Sequence, residues 1–185
     1  MNTSISLAIQ TLYEHALRLS ERHAHDLQCI ERPSLELIRG RARGNCVEIG
    51  TRHGISALAL LAGAEHVYTI DIDKSCRGIF PPEWPLTFIH NEGAKACNGW
   101  TRPVHVLLID GNHTSEAVRA ELEGWAPHLV EGADIFLHDC YLLNDIRKAI
   151  SEFCKQHSLT VLYHGILGHI IYKYGTDQPQ HHHAL

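Results

Sequence analysis

No two of the six cysteines stand in a C-x-x-C pair. Cys29, Cys46, Cys76, Cys97, Cys140 and Cys154 are scattered, which excludes the usual dithiol-redox and zinc spacings. A chain of 185 residues can build a full core and does not need disulfide staples. The thiols are therefore expected to be reduced and the protein cytoplasmic. No stretch approaches the roughly 20 apolar residues of a membrane span. The opening MNTSISLAIQ lacks a basic flank followed by a long apolar run, so no signal peptide is expected. Basic charge is also short: 16 Lys and Arg against 21 Asp and Glu leave a net charge of −5. That argues against broad nucleic-acid binding, which needs a basic face. Arg39, Arg41 and Arg43 come closest to a patch, but a spacing of two cannot share one helix face, and they read as a solvated helix end. There is no internal repeat and no low-complexity linker. One domain over residues 1–175 is expected, with the polar TDQPQHHHAL at its end, residues 176–185, as a disordered tail.

What is present is alternation. Ser4 to His23 carries Ile5, Ala8, Ile9, Leu12, Ala16 and Leu19 at helical spacing. A second helix is expected after Pro33, capped by Ser34 and ending before Gly40. Both precede the first strand, where they can cover a site or form the surface of a homodimer. From Asn45 onward, β-rich runs are 46–49, 66–70, 86–89, 104–109, 134–138, 160–163 and 169–174. Helical patterns fall between them at 55–62, 74–80, 94–98, 116–129 and 143–157. This order predicts a doubly wound, mostly parallel α/β sheet with helices on both faces. The last two strands have only residues 164–168 between them, too short for a crossover, so they must form an antiparallel hairpin.

The stretch Cys46–Ser56, CVEIGTRHGIS, organises the rest. A buried strand runs into a glycine-bounded turn and then a helix. Such a turn leaves backbone N–H groups at the helix start, and missing side chains let a ligand approach. It is not G-x-G-x-x-G, because Arg52 fills the middle position, and no Gly-Lys-Ser/Thr follows to make a P-loop. What stands is E-x-G-x-x-x-G. Any tight strand-to-helix turn could also use two glycines.

In a sheet of this kind, ligands gather at the carboxyl ends of the strands. Those ends carry Glu48 and Gly50, then Asp71, His90 to Gly93, Asp110, and His138 with Asp139. Each acid alone could cap the following helix. Four at one rim, where an unpartnered carboxylate costs several kcal/mol to desolvate, favour a site for hydroxyls, amines or a metal.

Three blocks then carry a family resemblance: Glu48-x-Gly50-x-x-x-Gly54-x-Ser56, TIDID at residues 69–73, and LLIDGNHTSEAVRAELEGWAPHLVEGADIFLHDC from Leu107 to Cys140. The chain resembles class I S-adenosylmethionine-dependent methyltransferases. Within them it is most similar to the small group with I-D-G-x-H after the fourth strand, methyltransferase family 24. The resemblance covers Asn45 to Cys140 well and implies a Rossmann-like seven-stranded sheet of order 3-2-1-4-5-7-6 with strand 7 antiparallel. It implies cofactor contacts by Gly50, Thr51, Gly54 and Ser56 in the turn, and by Glu48 toward the methionine ammonium. It further implies Asp71 on the ribose hydroxyls, Glu92 and Gly93 bordering the adenine, and Asp110 close by.

The resemblance also implies an in-line methyl transfer to a small-molecule acceptor, most plainly at oxygen. The protein's part is to align the nucleophile and remove its proton. Asp110, His113 and Asp139 are the expected catalytic residues, with His138 beside them; His113 could instead merely orient its loop. Related O-methyltransferases hold a divalent cation such as Mg²⁺ at this place, and Asp110 and Asp139 match its two acids. Cys140 stands where catechol-type enzymes have an asparagine. An oxygen-rich site suits Mg²⁺, and added His or Cys favours a softer ion. Trp125 and Leu129 are expected in the core, one helical turn apart. Two other readings fit the same turn: a nicotinamide-dependent Rossmann enzyme and a non-catalytic cofactor-binding or interaction protein.

Overall fold

The computed structural model describes residues 3–22, 30–140 and 143–174. The expected tail at 176–185 and Cys29 lie outside them. In chain order come α1 (Thr3–Arg22), α2 (Arg32–Arg41), β1 (Asn45–Ile49), α3 (Ile55–Leu61), β2 (His66–Asp71), β3 (Leu86–His90) and α4 (Gly93–Ala96). Then follow β4 (Val104–Ile109), α5 (Ser115–Trp125), β5 (Leu129–Leu137), α6 (Asn144–Gln156), β6 (Val161–His164) and β7 (Leu167–Ile171). The seven strands form one sheet of order β3-β2-β1-β4-β5-β7-β6. All neighbours are parallel except β5–β7 and β6–β7. The hairpin is tighter than its sequence suggests. His164 pairs with Leu167, so two residues make the turn, and Gly165 takes the positive φ of 63° that such turns demand.

Alternating side chains divide between two cores, as the two-residue period requires. Cys46, Val67, Val106, Leu108 and Phe136 meet Ile9, Tyr13, Leu35, Ile38 and Leu60 from α1, α2 and α3. Val47, Ile70, Leu107, Ile135 and Ile170 meet Leu122, Trp125, Ile150 and Phe153 from α5 and α6. The two N-terminal helices thus cover one sheet face by packing against α3.

Several boundaries move for identifiable reasons. The helix expected over 116–129 stops at Trp125, because Pro127 cannot continue it; a 3₁₀ turn, Ala126–His128, follows. Trp125 and Leu129 are both core as expected, but Leu129 opens β5 rather than sharing the helix of Trp125. Ser34 does not cap α2. Glu31 occupies that position with Pro33 in the first turn, and Ser34 donates its hydroxyl to Glu31 at 3.2 Å. The helix expected over 74–80 is only the 3₁₀ turn Lys74–Gly78.

The arginine trio sits at and just past the end of α2, with Arg41 and Arg43 exposed as expected, but all three are engaged. Arg43 pairs with Asp134 on β5, and Arg41 lies 3.4 Å from the same carboxylate. Arg39 donates to Gln10 at 2.6 Å and sits 4.8 Å above the Tyr13 ring. Asp134 is 1% exposed and also meets His169 Nε2 at 2.7 Å, so the arginines balance a buried acid. The five described cysteines are free and buried.

Candidate active site

Strand register assembles the site. Ile109 on β4 lies opposite Ile49 on β1 and Leu137 on β5, so the residues that follow, Asp110 and His138, emerge as neighbours at the carboxyl edge. Asp110 N–H donates to Ile49 O at 2.8 Å, and His138 N–H to Ile109 O at 3.0 Å. A cleft of about 1220 Å³ opens above this edge. Gly50, Arg52 and Asp71 line its middle, Asn91 to Ala94 one side, and Asp110, His113, His138 and Asp139 another.

The turn after β1 is held from within. Glu48 pairs in register with Thr69 and is fully buried. Ser56 donates to its Oε1, Thr69 donates to Oε2 at 2.5 Å, and Thr51 reaches Thr69 at 2.6 Å. Burial pushes the Glu48 carboxyl up to about 8, against the pull of the Ser56 and Thr69 hydroxyls. Glu48, Thr51, Gly54 and Ser56 therefore brace the turn from behind and are not among the residues lining the cleft. Glu48, expected to face the cofactor's ammonium, has its two oxygens occupied by these hydroxyls.

The glycines have steric work of their own. Gly50 has φ +100°, and a Cβ there would lie 2.2 Å from Asp110 O. At Gly54, φ +74°, it would lie 2.4 Å from the Phe80 ring. The bare turn presses directly against the β4 tip, which is why no side chain fits.

Asp71 accepts the backbone N–H of Arg52 at 3.0 Å and of Asp73 at 2.9 Å, pinning the turn to the end of β2 while facing the cleft. Arg52 adopts φ +43° there, and Asp139 adopts φ +53°. Left-handed backbone at non-glycine positions is costly and clusters at functional sites. Glu92 and Gly93 line the cleft. The Glu92 side chain is exposed and paired with Lys95 at 2.7 Å. Gly93 is clamped: Trp125 Nε1 donates to its carbonyl at 3.0 Å.

Asp110, His113, His138 and Asp139 do converge. His138 Nδ1 lies 3.0 Å from Asp110 Oδ1 and 3.6 Å from Asp139 Oδ2. His113 Nε2 stands 3.4 Å from Asp110 Oδ1, an ion-pair distance rather than a well-directed hydrogen bond. Burial opposes charge on Asp110, yet His113 and His138 hold it below the usual carboxylate range. Asp110 raises His113. His138 is raised too, the Asp110 carboxylate outweighing the burial that opposes its protonation. Burial raises Asp139. His113 Nε2, His138 Nε2 and Asp139 Oδ1 are buried without hydrogen-bond partners, so the corner has capacity left for a ligand.

Asp110 and Asp139, expected as the two acids of a metal site, are not joined by a third ligand in this arrangement. Among the described residues no three His, Cys, Asp or Glu side chains converge as ligands. Cys140 turns away: its thiol donates to Ile166 O at 3.2 Å, packs beside Gly168, and is pushed up to about 11 by burial.

One cleft residue escaped the sequence reading. Glu121 on α5 is 3% exposed, and its Oε2 has no partner. Burial pushes its carboxyl up to about 7, with the His113 charge pulling the other way. Its only sequence signal was an acid on the apolar side of a helix, i+3 from Val118 and i−4 from Trp125.

Residues 47–140 match the profile of the methyltransferase domain family, family 24. The fold is shared with NovP, an O-methyltransferase, at TM-score 0.66 and 13% identity over 78% of this chain and 81% of that one. An O-methyltransferase from Bacillus cereus in complex with SAH gives TM-score 0.60 and 15% identity, over 87% and 90%. An rRNA methylase from Streptococcus thermophilus gives 0.59 and 14%, over 78% and 99%. The family match favours the S-adenosylmethionine reading over the nicotinamide one. The chain belongs to the methyltransferase domain family, that of the class I S-adenosylmethionine-dependent methyltransferases.

Proposed function

We propose that this enzyme methylates an oxygen of a small hydroxylated acceptor, with His113 as the base. The observation that carries this reading is the convergence of His113 and His138 on Asp110 at the wall of the cleft. The cleft's residues suit S-adenosylmethionine: a side-chain-free turn at Gly50, the Asp71 carboxylate, and an unpartnered buried carboxyl at Glu121. When bound, the cofactor supplies a methyl group already activated by its sulfonium. Asp71 accepts the ribose hydroxyls, as a carboxylate does well. Gly50 and Arg52 border the methionine part, with Glu48, Thr51, Gly54 and Ser56 keeping the turn rigid from behind. Glu92 and Gly93 flank the base.

A proton on His113 Nε2 faces Asp110, which leaves Nδ1 as the basic nitrogen. Asp110 stabilises the imidazolium once the acceptor's proton has arrived. His138 holds Asp110 in place, and Asp139 offers an acceptor for a second hydroxyl. Among the described residues no three His, Cys, Asp or Glu side chains are placed to hold a metal, so deprotonation falls to His113.

A small acceptor suits the charge better than RNA does. The chain is net acidic, and Arg41 and Arg43 are engaged with Asp134. No helix among the described residues is long and apolar enough to cross a membrane. The proposal extends to a single cytoplasmic domain over residues 1–175.

The test is calorimetry with S-adenosylhomocysteine, followed by methyl transfer to a panel of phenols and hydroxy acids. His113→Ala should keep its affinity and lose roughly 10²- to 10⁴-fold in turnover. Absence of binding by the wild type, or undiminished turnover in the variant, would defeat the reading.

A further inference from the structure

Glu121 sits where a helix should carry an alanine or a leucine. It lies on the buried side of α5, is 3% exposed, and lines the cleft beside Ala117 and Ala120. A Cβ built on Gly93 would fall 2.4 Å from its Oε1, so the carboxyl lies directly against the bare backbone of that glycine. The charge felt there is that of His113, and Oε2 lacks any hydrogen-bond partner. A buried carboxyl without partners is expensive, and native proteins keep one when a ligand completes it. The cleft that Glu121 lines is also lined by the small residues Ala94, Ala117 and Ala120 and by Ile49 and Ile70. Small apolar side chains beside an acid leave room for a planar ring.

We infer that Glu121 reads the edge of the cofactor's adenine, pairing with its exocyclic amine and the adjacent ring nitrogen. This rests on the cofactor reading above. A carboxylic acid offers one O–H donor and one carbonyl acceptor side by side. The amino edge of adenine offers the complementary acceptor and donor. Burial supports the protonated form near neutral pH, because it pushes this carboxyl up to about 7. A hydrogen in place of the amine removes the ligand's donor, keeps the ring nitrogen as acceptor, and leaves the Glu121 carbonyl oxygen unmatched.

The experiment compares S-adenosylhomocysteine with its purine-riboside analogue, in which that amine is a hydrogen. Affinities are measured by calorimetry on the full chain, for the wild type, Glu121→Gln and Glu121→Leu. The wild type should prefer the adenosyl compound by roughly tenfold to a hundredfold, the usual consequence of leaving one buried polar group unmatched. Glu121→Gln keeps a donor and an acceptor and should retain most of that preference. Glu121→Leu should lose it, with thermal melts verifying that the variant is folded. Equal affinity of the wild type for both nucleosides, or an undiminished preference in Glu121→Leu, would overturn the assignment while leaving the cofactor reading intact. Binding of neither nucleoside by the wild type would overturn both.

Discussion

The backbone N–H of Arg52 donates to Oδ2 of Asp71 at 3.0 Å, joining the turn after β1 to the tip of β2. One carboxylate thus has two tasks. It fixes the turn's shape through Arg52 and Asp73, and it presents its remaining lone pairs to the cleft.

Asp71→Ala should therefore weaken S-adenosylhomocysteine binding by roughly tenfold or more, since it removes a charged acceptor and frees the turn. Asp71→Asn keeps an oxygen for one backbone N–H and should fall between. Calorimetry measures both, and a wild-type affinity in Asp71→Ala would remove the ribose assignment.

Glu48 makes a prediction about pH. Its carboxyl is raised in the folded state to about 8, whereas an unfolded chain ionises it near its ordinary value of 4.5. Between those two values the unfolded state binds fewer protons, so stability falls as pH rises. The loss is on the order of a few kcal/mol at most and is complete above the folded value. Glu48→Gln removes the titrating group and keeps an oxygen for the hydroxyls. Chemical denaturation from pH 5 to 8.5 should show a flatter profile in this variant; parallel profiles would refute the point.

Asp110 is the hinge of the imidazole cluster. It raises His113 and His138 by holding their protons. In Asp110→Asn both imidazoles should titrate at lower pH, which NMR of the ring protons reads without any acceptor. In turnover, the wild type should lose activity as pH falls through the raised His113 value, and the variant's inflection should move toward acid. Unmoved ring titrations would show that the three groups are not coupled.

Asp134 supplies the contrast. It is buried with Arg43, Arg41 and His169 and lies outside the cleft. Asp134→Ala leaves the buried His169 and the half-exposed arginines without their acceptor and should cost about 1–3 kcal/mol of stability. Affinity for S-adenosylhomocysteine should stay within about twofold, because no cleft residue is touched. A selective loss of affinity without a loss of stability would contradict this division.

Much of this protein was legible one segment at a time. Alternating runs and helical spacing located every strand and the long helices, and the short link between the last two strands required a hairpin. Gly50 and Gly54 marked the turn, and the acids at the strand ends marked the edge where Asp71 and Asp110 now face the cleft. These features depend on local backbone sterics and on the two- and 3.6-residue periods, which a linear chain carries explicitly. Tertiary structure alone decided which way each polar group turned. Glu48 faces inward because the β1–β2 register sets it beside Thr69. Arg41 and Arg43 lie 93 and 91 residues from the acid they balance. Glu121 reads as one more helix acid until α5 packs beside Gly93 and closes it off from water. Burial, and with it the energy of a charge, is set by chain segments distant in sequence, and no local pattern encodes it.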